Sequence, residues 1–434
     1  MSLPTAVGID FGTTNSAIAR VNAGDQVELA TFPFEGALTD AYRSLLYLEQ
    51  LKERGRTTVK SWTGPEGIER YLGADAKGRL IQSLKSFLSS RLLESTEVFG
   101  KRHTVEELIA RILRDLRGHA ESQFGTSITT AVVGRPVRFV GSSKDSDDEF
   151  AEARLRQAFA LAGFENVRFE MEPVAAAHYY ESALDHDELI MIGDFGGGTS
   201  DFSLIRVGPE VKRRGRAPSD LLGNEGVGLA GDAFDAKIIR HLVAPELGMG
   251  SEIESMGKLL PVPSWLYAKL ERWHYLSFLR ARDVTNLLRT LRVQAVEPEK
   301  IEALMHLIED DLGYQLHRSV QRVKCDLSNQ ETAEFRFVVA GIDIQAAVKR
   351  RSFETWIADE LEKIETCVDS LLNRAGVKPK QVDMVFLTGG TSFVPAVRRI
   401  FEFRFGAKRL RSGHEFTSVA RGLALNAAHA ARVS

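Results

Sequence analysis

Hydrophobic and polar positions alternate in short blocks at the start of the chain. Residues 6–32 read AVGIDF, SAIARV and VELATF, which predicts two or three strands with a polar Gly-Thr-Thr-Asn turn between the first two. The plan recurs downstream. IGDFG (192–196) followed by FSLIRV (202–207) repeats strand, Asp-Phe-Gly, glycine and hydroxyl turn, strand, and both copies end in Arg-Val, at Arg20-Val21 and Arg206-Val207. With Asp10 and Asp194 standing 184 residues apart, the chain reads as two similar lobes, each opening on a hairpin.

Each lobe continues with alternating helices and strands. TVEELIARILRDLRGHAESQF (104–124) has helical apolar spacing, ITTAVVGRPV (128–137) reads as a buried strand, and EFAEARLRQAFALAGF (149–164) as an amphipathic helix stopped by Gly163. The second lobe repeats the order. FETWIADELEKIETCVDSLLNRAGV is a helix, QVDMVFLTGG a buried strand, FVPAVRRIFEFRF another helix, and SVARGLALNAAHAARV a closing helix rich in small residues. Residues 232–324 are largely helical and read as an inserted subdomain. Its aromatic cluster of Trp265, Tyr267, Trp273, Tyr275 and Phe278 is expected to pack the core of that insertion.

Composition narrows the class without choosing a function. At 434 residues the chain is too long for one ordinary core, and 44% hydrophobic with 26% charged residues is the balance of a folded globular protein. A net charge of -3 lacks the basic excess of a protein built to grip nucleic acid. No stretch approaches a membrane span, and the N-terminal MSLPTAVGID does not have the form of a signal peptide. Cys325 and Cys367 are far apart and in no metal-like spacing, so a cytoplasmic location is expected.

The glycine turns bring in the chemistry. A loop of Gly, Ser and Thr between two strands can aim backbone N–H groups and hydroxyls at an anion, phosphate above all, the glycines permitting positive φ and close approach. DFGTTNS (10–16) and DFGGGTSD (194–201), one per lobe, would face each other and clamp a polyphosphate. Each begins with an aspartate suited to hold Mg2+ through water. One such turn is most simply an ordinary hairpin; two in matching register favour phosphate. A third, Thr388-Gly389-Gly390-Thr391-Ser392, lies after a buried strand and before a helix, where backbone can approach a nucleotide. GVGLAG (226–231) fits G-x-G-x-x-G only literally, since SDLLGNE and not a hydrophobic strand precedes it. The basic runs Lys212-Arg213-Arg214 and Lys349-Arg350-Arg351 read as exposed turn and helix faces.

In these motifs the chain resembles the actin-like ATPase superfamily, and within it the nucleotide-binding part of the DnaK-type, seventy-kilodalton heat-shock chaperones, particularly their short YegD-like relatives. VGIDFGTTNS is similar to that family's first phosphate motif, IGDFGGGTSDFSLI to its second and VFLTGGTSFVPAVRRIF to its adenosine motif. The resemblance implies an α/β, actin-like ATPase fold with ribonuclease H-like duplicated lobes: 1–188 plus 413–434 as lobe I, and 189–412 as lobe II with the insertion at about 232–324. It implies ATP or ADP with Mg2+ as ligands.

By resemblance, Lys85 stabilises charge on the transferred phosphoryl group, and Glu172, with Pro173, organises the metal and its waters. Asp10, Asp194 and Glu172 hold magnesium through water, Asp201 helps polarise the attacking water, and Thr199 acts with Asp194 in catalysis. Gly12, Thr13, Thr14, Asn15, Gly196, Gly197, Gly198, Thr199, Ala230 and Gly231 line the phosphates. Gly389, Gly390, Thr391, Gln321, Lys324, Cys325, Ser328 and Phe393 match the adenosine side. There a thiol and a phenyl ring replace the family's two guanidinium planes.

The function implied is an ATPase working as a nucleotide-driven switch of the chaperone family. DnaK-like chaperones continue into a peptide-binding domain, whereas this chain ends at Ser434 directly after its last predicted helix, so no such part is expected. A protein client or co-chaperone engaged through the insertion is the expected partner, with no nucleic acid, no membrane and a monomeric state. The alternatives on the same fold are a small-molecule kinase and a filament-forming actin-like protein.

Overall fold

Two sheets with the same strand order organise the chain. A computed structural model describes residues 6–433 except 35, 54–55, 75–77, 216, 272–278, 340 and 413–416. The first sheet is built on β1 (Ala6–Phe11), β2 (Asn15–Val21) and β3 (Val27–Leu29), which run antiparallel; β4 (Thr130–Arg135) pairs β1 in parallel, and β5 (Asn166–Met171) pairs β4. The second sheet repeats this with β6 (Glu188–Phe195), β7 (Ser200–Val207) and β8 (Leu221–Val227) antiparallel; β9 (Met384–Thr388) pairs β6 in parallel, and β10 (Leu410–Ser412) pairs β9. The duplicated hairpins read from the sequence therefore head two sheets of one design.

Local chemistry sets the element ends. VELATF is expected to run as one strand, but it splits after Leu29, and Phe32–Phe34 pairs instead with Ala37–Thr39. β4 stops at Arg135 because Pro136 has no N–H to offer a ladder. Helix α1 (Val105–Phe124) starts from a reciprocal cap in which Thr104 Oγ1 accepts from Glu107 N–H and the Glu107 carboxylate accepts from Thr104 N–H. Helix α2 (Asp145–Leu161) begins four residues before the expected start, since Asp145, Asp147 and Asp148 favour a first turn without adding an apolar signal. Helix α3 (Glu172–Glu181) has Pro173 in its first turn, and α4 (Ser418–Val433) matches the small-residue helix at the C-terminal end.

Helices α3 and α4 lie between the two sheets. Ala175, Ala176, Ala177, Val419, Leu423 and Ala427 pack with Val132 of β4 and with Ile190 and Ile192 of β6 in one buried cluster. On the other face of the first sheet, Val7, Ile9 and Ile18 pack against apolar positions of α1 and α2. The backbones of α3 and α4 approach closely: a Cβ on Gly422 would stand 1.7 Å from Ala175 O, and one on Gly8 of β1 2.2 Å from Ala424 N.

The chain falls into two compact units. The first comprises residues 1–230, 363–392 and 397–434 and holds both sheets; the second comprises 231–362 and 393–396. Within the second, helices at Arg282–Gln294, Pro298–Glu309 and Gly313–Asn329 accompany a hairpin at Glu252–Ser255 and Lys258–Pro261 and a longer one at Thr332–Val339 and Ile342–Lys349. Two expectations are corrected. The continuous helix from Phe353 to Val377 is broken into Arg350–Trp356 and Ala358–Ala375, because Ile357 adopts φ -96 and ψ 10 while the apolar spacing runs on through it. Trp265 is 41% exposed with the Lys269 ammonium 5.0 Å from its ring centre, so it does not fill the core, whereas Tyr267 is buried and donates to Leu247 O. Trp273, Tyr275 and Phe278 lie outside the described residues. No described helix is long and apolar enough to cross a membrane.

Candidate functional site

At two positions of the first two glycine turns a side chain would have no room. A Cβ on Gly12 would stand 2.2 Å from Asn15 O, and one on Gly198 2.8 Å from Val140 Cγ2. The freedom to take positive φ, expected from the sequence, goes unused at Gly12, Gly196 and Gly198; it is used at Gly389, with φ 85 and a would-be Cβ 2.0 Å from Phe195 O. Gly196 N–H closes the second turn on Thr199 O at 2.9 Å, and Ser200 Oγ donates to Leu229 O beside Ala230. A Cβ on Gly198 would also lie 3.6 Å from Thr13 Oγ1 and 3.9 Å from Ser86 Oγ. The second glycine turn thus faces both the first turn and the segment that carries Lys85.

Charge converges at the same place. Lys85, on a 3-10 turn at Leu84–Phe87, donates from Nζ to Glu172 Oε1 at 2.7 Å, with both side chains buried. Asp10 is the next-to-last residue of β1, and Asp194 the next-to-last of β6, where it stands directly opposite Asp201 of β7. Like charges in that register repel. Burial, then the Glu172 charge, pushes Asp10 up to about 7 against the pull of Lys85. Burial, reinforced by Glu172, Asp10 and Asp201, drives Asp194 well above the usual carboxylate range. Asp201 is pushed up to about 7 by burial and Glu172, against the nearby Thr199 hydroxyl and hydrogen bonds from the Arg138 and Val137 backbone. Burial alone would lower Lys85, yet Glu172 and Asp10 hold its ammonium above an ordinary lysine.

Four acids around one lysine leave negative charge uncompensated in a place of low dielectric. Asp201 Oδ1 accepts from Val137 N–H at 2.8 Å and Arg138 N–H at 3.3 Å, but its buried Oδ2 has no hydrogen-bond partner. An open carboxylate oxygen amid excess negative charge fits a hydrated divalent cation, and Mg2+ retains waters while taking few carboxylates directly. Among the described residues no three His, Cys, Asp or Glu side chains form a direct cage, so Asp10, Asp194 and Glu172 would reach such an ion through its waters.

The carboxylates also predict a pH dependence. Asp10 and Asp201 bind protons more tightly folded than at their ordinary 3.8, so their stabilising contribution is complete below that value and is lost as pH rises through about 7. Thermal melts of the metal-free and nucleotide-free protein should therefore fall in midpoint between about pH 4 and about pH 7 and level off above that. Asp201→Asn should shrink that drop. An equal drop in the variant would mean that this carboxylate is not its source.

The remaining expected residues divide between the units. Asp10, Gly12, Thr13, Thr14, Asn15, Lys85, Glu172, Asp194, Gly196, Gly197, Gly198, Thr199, Asp201, Ala230, Gly389, Gly390 and Thr391 belong to the first; Gly231, Gln321, Lys324, Cys325, Ser328 and Phe393 belong to the second. Asn15 Oδ1 accepts from Arg43 at 3.0 Å, and Ser44 N–H donates to Thr14 O. Within the second unit, Lys324 Nζ is 2.6 Å from Asp235 Oδ1 and donates to Gly231 O at 3.2 Å, while Ser328 Oγ donates to Lys324 O. Cys325 and Phe393 are exposed. Sequence reasoning missed the backbone N–H pair of Val137 and Arg138, which grips Asp201 from the loop after β4. No side-chain pattern could signal it.

Comparison with known proteins bears on this geometry. The family model described as Hsp70 protein matches residues 6–255 and 296–431. Chaperone protein DnaK of Deinococcus proteolyticus is 25% identical over 440 aligned residues, which cover 97% of this chain and 59% of that protein. The chain thus spans under two thirds of that relative's length.

Proposed function

The chain belongs to the Hsp70 family and so has the actin-like ATPase fold, and on that premise we propose that it binds Mg2+-ATP at the paired glycine turns and hydrolyses it to ADP and phosphate. The observation that carries this reading is the meeting of both turns with one buried lysine–glutamate pair. Phosphoryl transfer to water needs little covalent help; it needs the phosphoryl group and a water held in line, with positive charge and donors where negative charge moves.

The turn backbones and the Thr13, Thr14 and Thr199 hydroxyls would hold phosphate oxygens. Lys85 would place its ammonium against the transferring group, kept charged and aimed by Glu172. Asp194 and Asp201 would orient the attacking water. Mg2+, when bound, supplies further neutralisation of the phosphates. Hydrolysis would then change how the two sheets close over α3 and α4, making the chain a nucleotide-driven switch for a protein client or co-chaperone.

Phosphate release by the purified protein with ATP and Mg2+ tests the reading. Chelation should abolish turnover, and Thr199→Ala should lower it by about tenfold. Absence of nucleotide binding at millimolar ATP would overturn it.

A further inference from the structure

Lys85 rides on a segment with little structure of its own. Beyond the single 3-10 turn, residues 88–93 form neither helix nor strand, and the chain enters at Ser83 with φ 51, a left-handed backbone that favours glycine. Its carbonyls find a partner in one side chain. Arg154 of α2, itself buried, donates from one terminal nitrogen to Phe87 O at 3.1 Å, Leu88 O at 3.2 Å and Ser90 O at 3.1 Å, and from the other to Leu93 O at 3.2 Å. Its Nε donates to the buried Glu106 carboxylate of α1, and its guanidinium carbon lies 5.4 Å from the Phe150 ring centre. A planar fork of donors can serve several acceptors at once, which an ammonium cannot reproduce. Glu106 is held below the usual carboxylate range by the Arg154 hydrogen bond in spite of its burial, so the fork has a charged anchor.

We propose that Arg154 is a positioning residue for Lys85: by gripping the carbonyls of residues 87–93 and anchoring on Glu106, it fixes the segment so that the Lys85 ammonium stands against Glu172 beside the phosphate turns. The kinetic consequence rests on the ATPase reading, whereas the positioning itself does not. Two helices on the far side of the first sheet thereby set the place of a lysine that neither helix contains.

Arg154→Lys keeps the charge and removes the fork. It should lower kcat for ATP by on the order of tenfold to a hundredfold with KM changed only a few-fold, and should cost nothing further in a Lys85→Ala background. A second readout needs no turnover. Acylation of Lys85 by a small amine-reactive reagent, followed by mass spectrometry, should be faster in Arg154→Lys than in the parent, while the exposed Lys101 reacts equally in both. Glu106→Gln, which leaves the guanidinium but loosens its anchor, should move both readouts the same way and serves where Arg154→Lys does not fold. Parental kcat and labelling in the folded variants would overturn the proposal, as would a loss that multiplies with that of Lys85→Ala. If the parent releases no phosphate, the ATPase reading fails alone and the labelling decides for Arg154.

Discussion

Lys85→Ala should lower the rate of ATP hydrolysis by on the order of a hundredfold or more, with the apparent affinity for Mg2+-ATP changed only a few-fold. The asymmetry follows from where the ammonium sits. Its hydrogen bond goes to Glu172, and on the proposed reading the phosphate grip would belong to the two glycine turns, so the lysine would add little to ground-state binding. What it would add is charge at the point where phosphoryl oxygens become more negative. Loss of Lys85 also deprives Asp10, Glu172, Asp194 and Asp201 of the cation that offsets them, and the variant should bind Mg2+ no more weakly than the parent. Single-turnover phosphate release, beside binding of a fluorescent nucleotide, separates the two effects. Full activity in Lys85→Ala would remove the lysine from the mechanism.

Gly422→Ala should destabilise the protein by about 3 kcal/mol despite the roughly 1 kcal/mol that alanine ordinarily gains over glycine inside a helix. A Cβ there would stand 1.7 Å from Ala175 O, 2.6 Å from Ala175 C and 3.3 Å from Tyr179 N. All three are backbone atoms of α3, which no rotamer change can move aside. Relief requires α3 and α4 to separate, and both are pinned between the sheets by Ile190, Ile192, Val132 and Leu423. Gly118 of α1 is the control, because a Cβ there meets nothing within 4 Å; Gly118→Ala should stabilise by about 0.5 to 1 kcal/mol. Urea unfolding of both variants gives the comparison. Equal midpoints would show that the helix contact yields easily.

Where hydrophobic period and burial coincide, the fold was legible. β6 and β7 are buried almost throughout and the middles of β1 and β2 are buried too, and α4 runs over the span its small residues suggested. Residues 33–103 offered no such contrast. The strand Arg56–Thr63 is exposed at most of its positions, so RTTVKSWT shows no inward-facing alternation to read. The break at Ile357 was invisible for the opposite reason: apolar spacing from Phe353 to Ile357 to Ile364 persists across it, and one residue's dihedral angles leave no trace in periodicity. At the site, the turns announced themselves through glycine, and Lys85 only through family likeness, since a lysine on a short irregular segment carries no pattern. Arg154 was the least legible. A charged residue on an amphipathic helix reads as solvent-facing, and only the carbonyls of a segment more than sixty residues earlier show otherwise.

The shared strand order of the two sheets divides labour in a way that residue lists conceal. Asp10 and Asp194 occupy equivalent places in the two copies, so the proposed cradle would be a near-symmetric object, suited to a ligand that is itself a chain of similar units. A symmetric cradle cannot choose which end of such a ligand is cut. Lys85 and Glu172, however, both come from the first half of the chain, outside the repeated hairpins. On the proposed reading, the duplicated turns would supply the grip, and the unrepeated pair would give the reaction its direction.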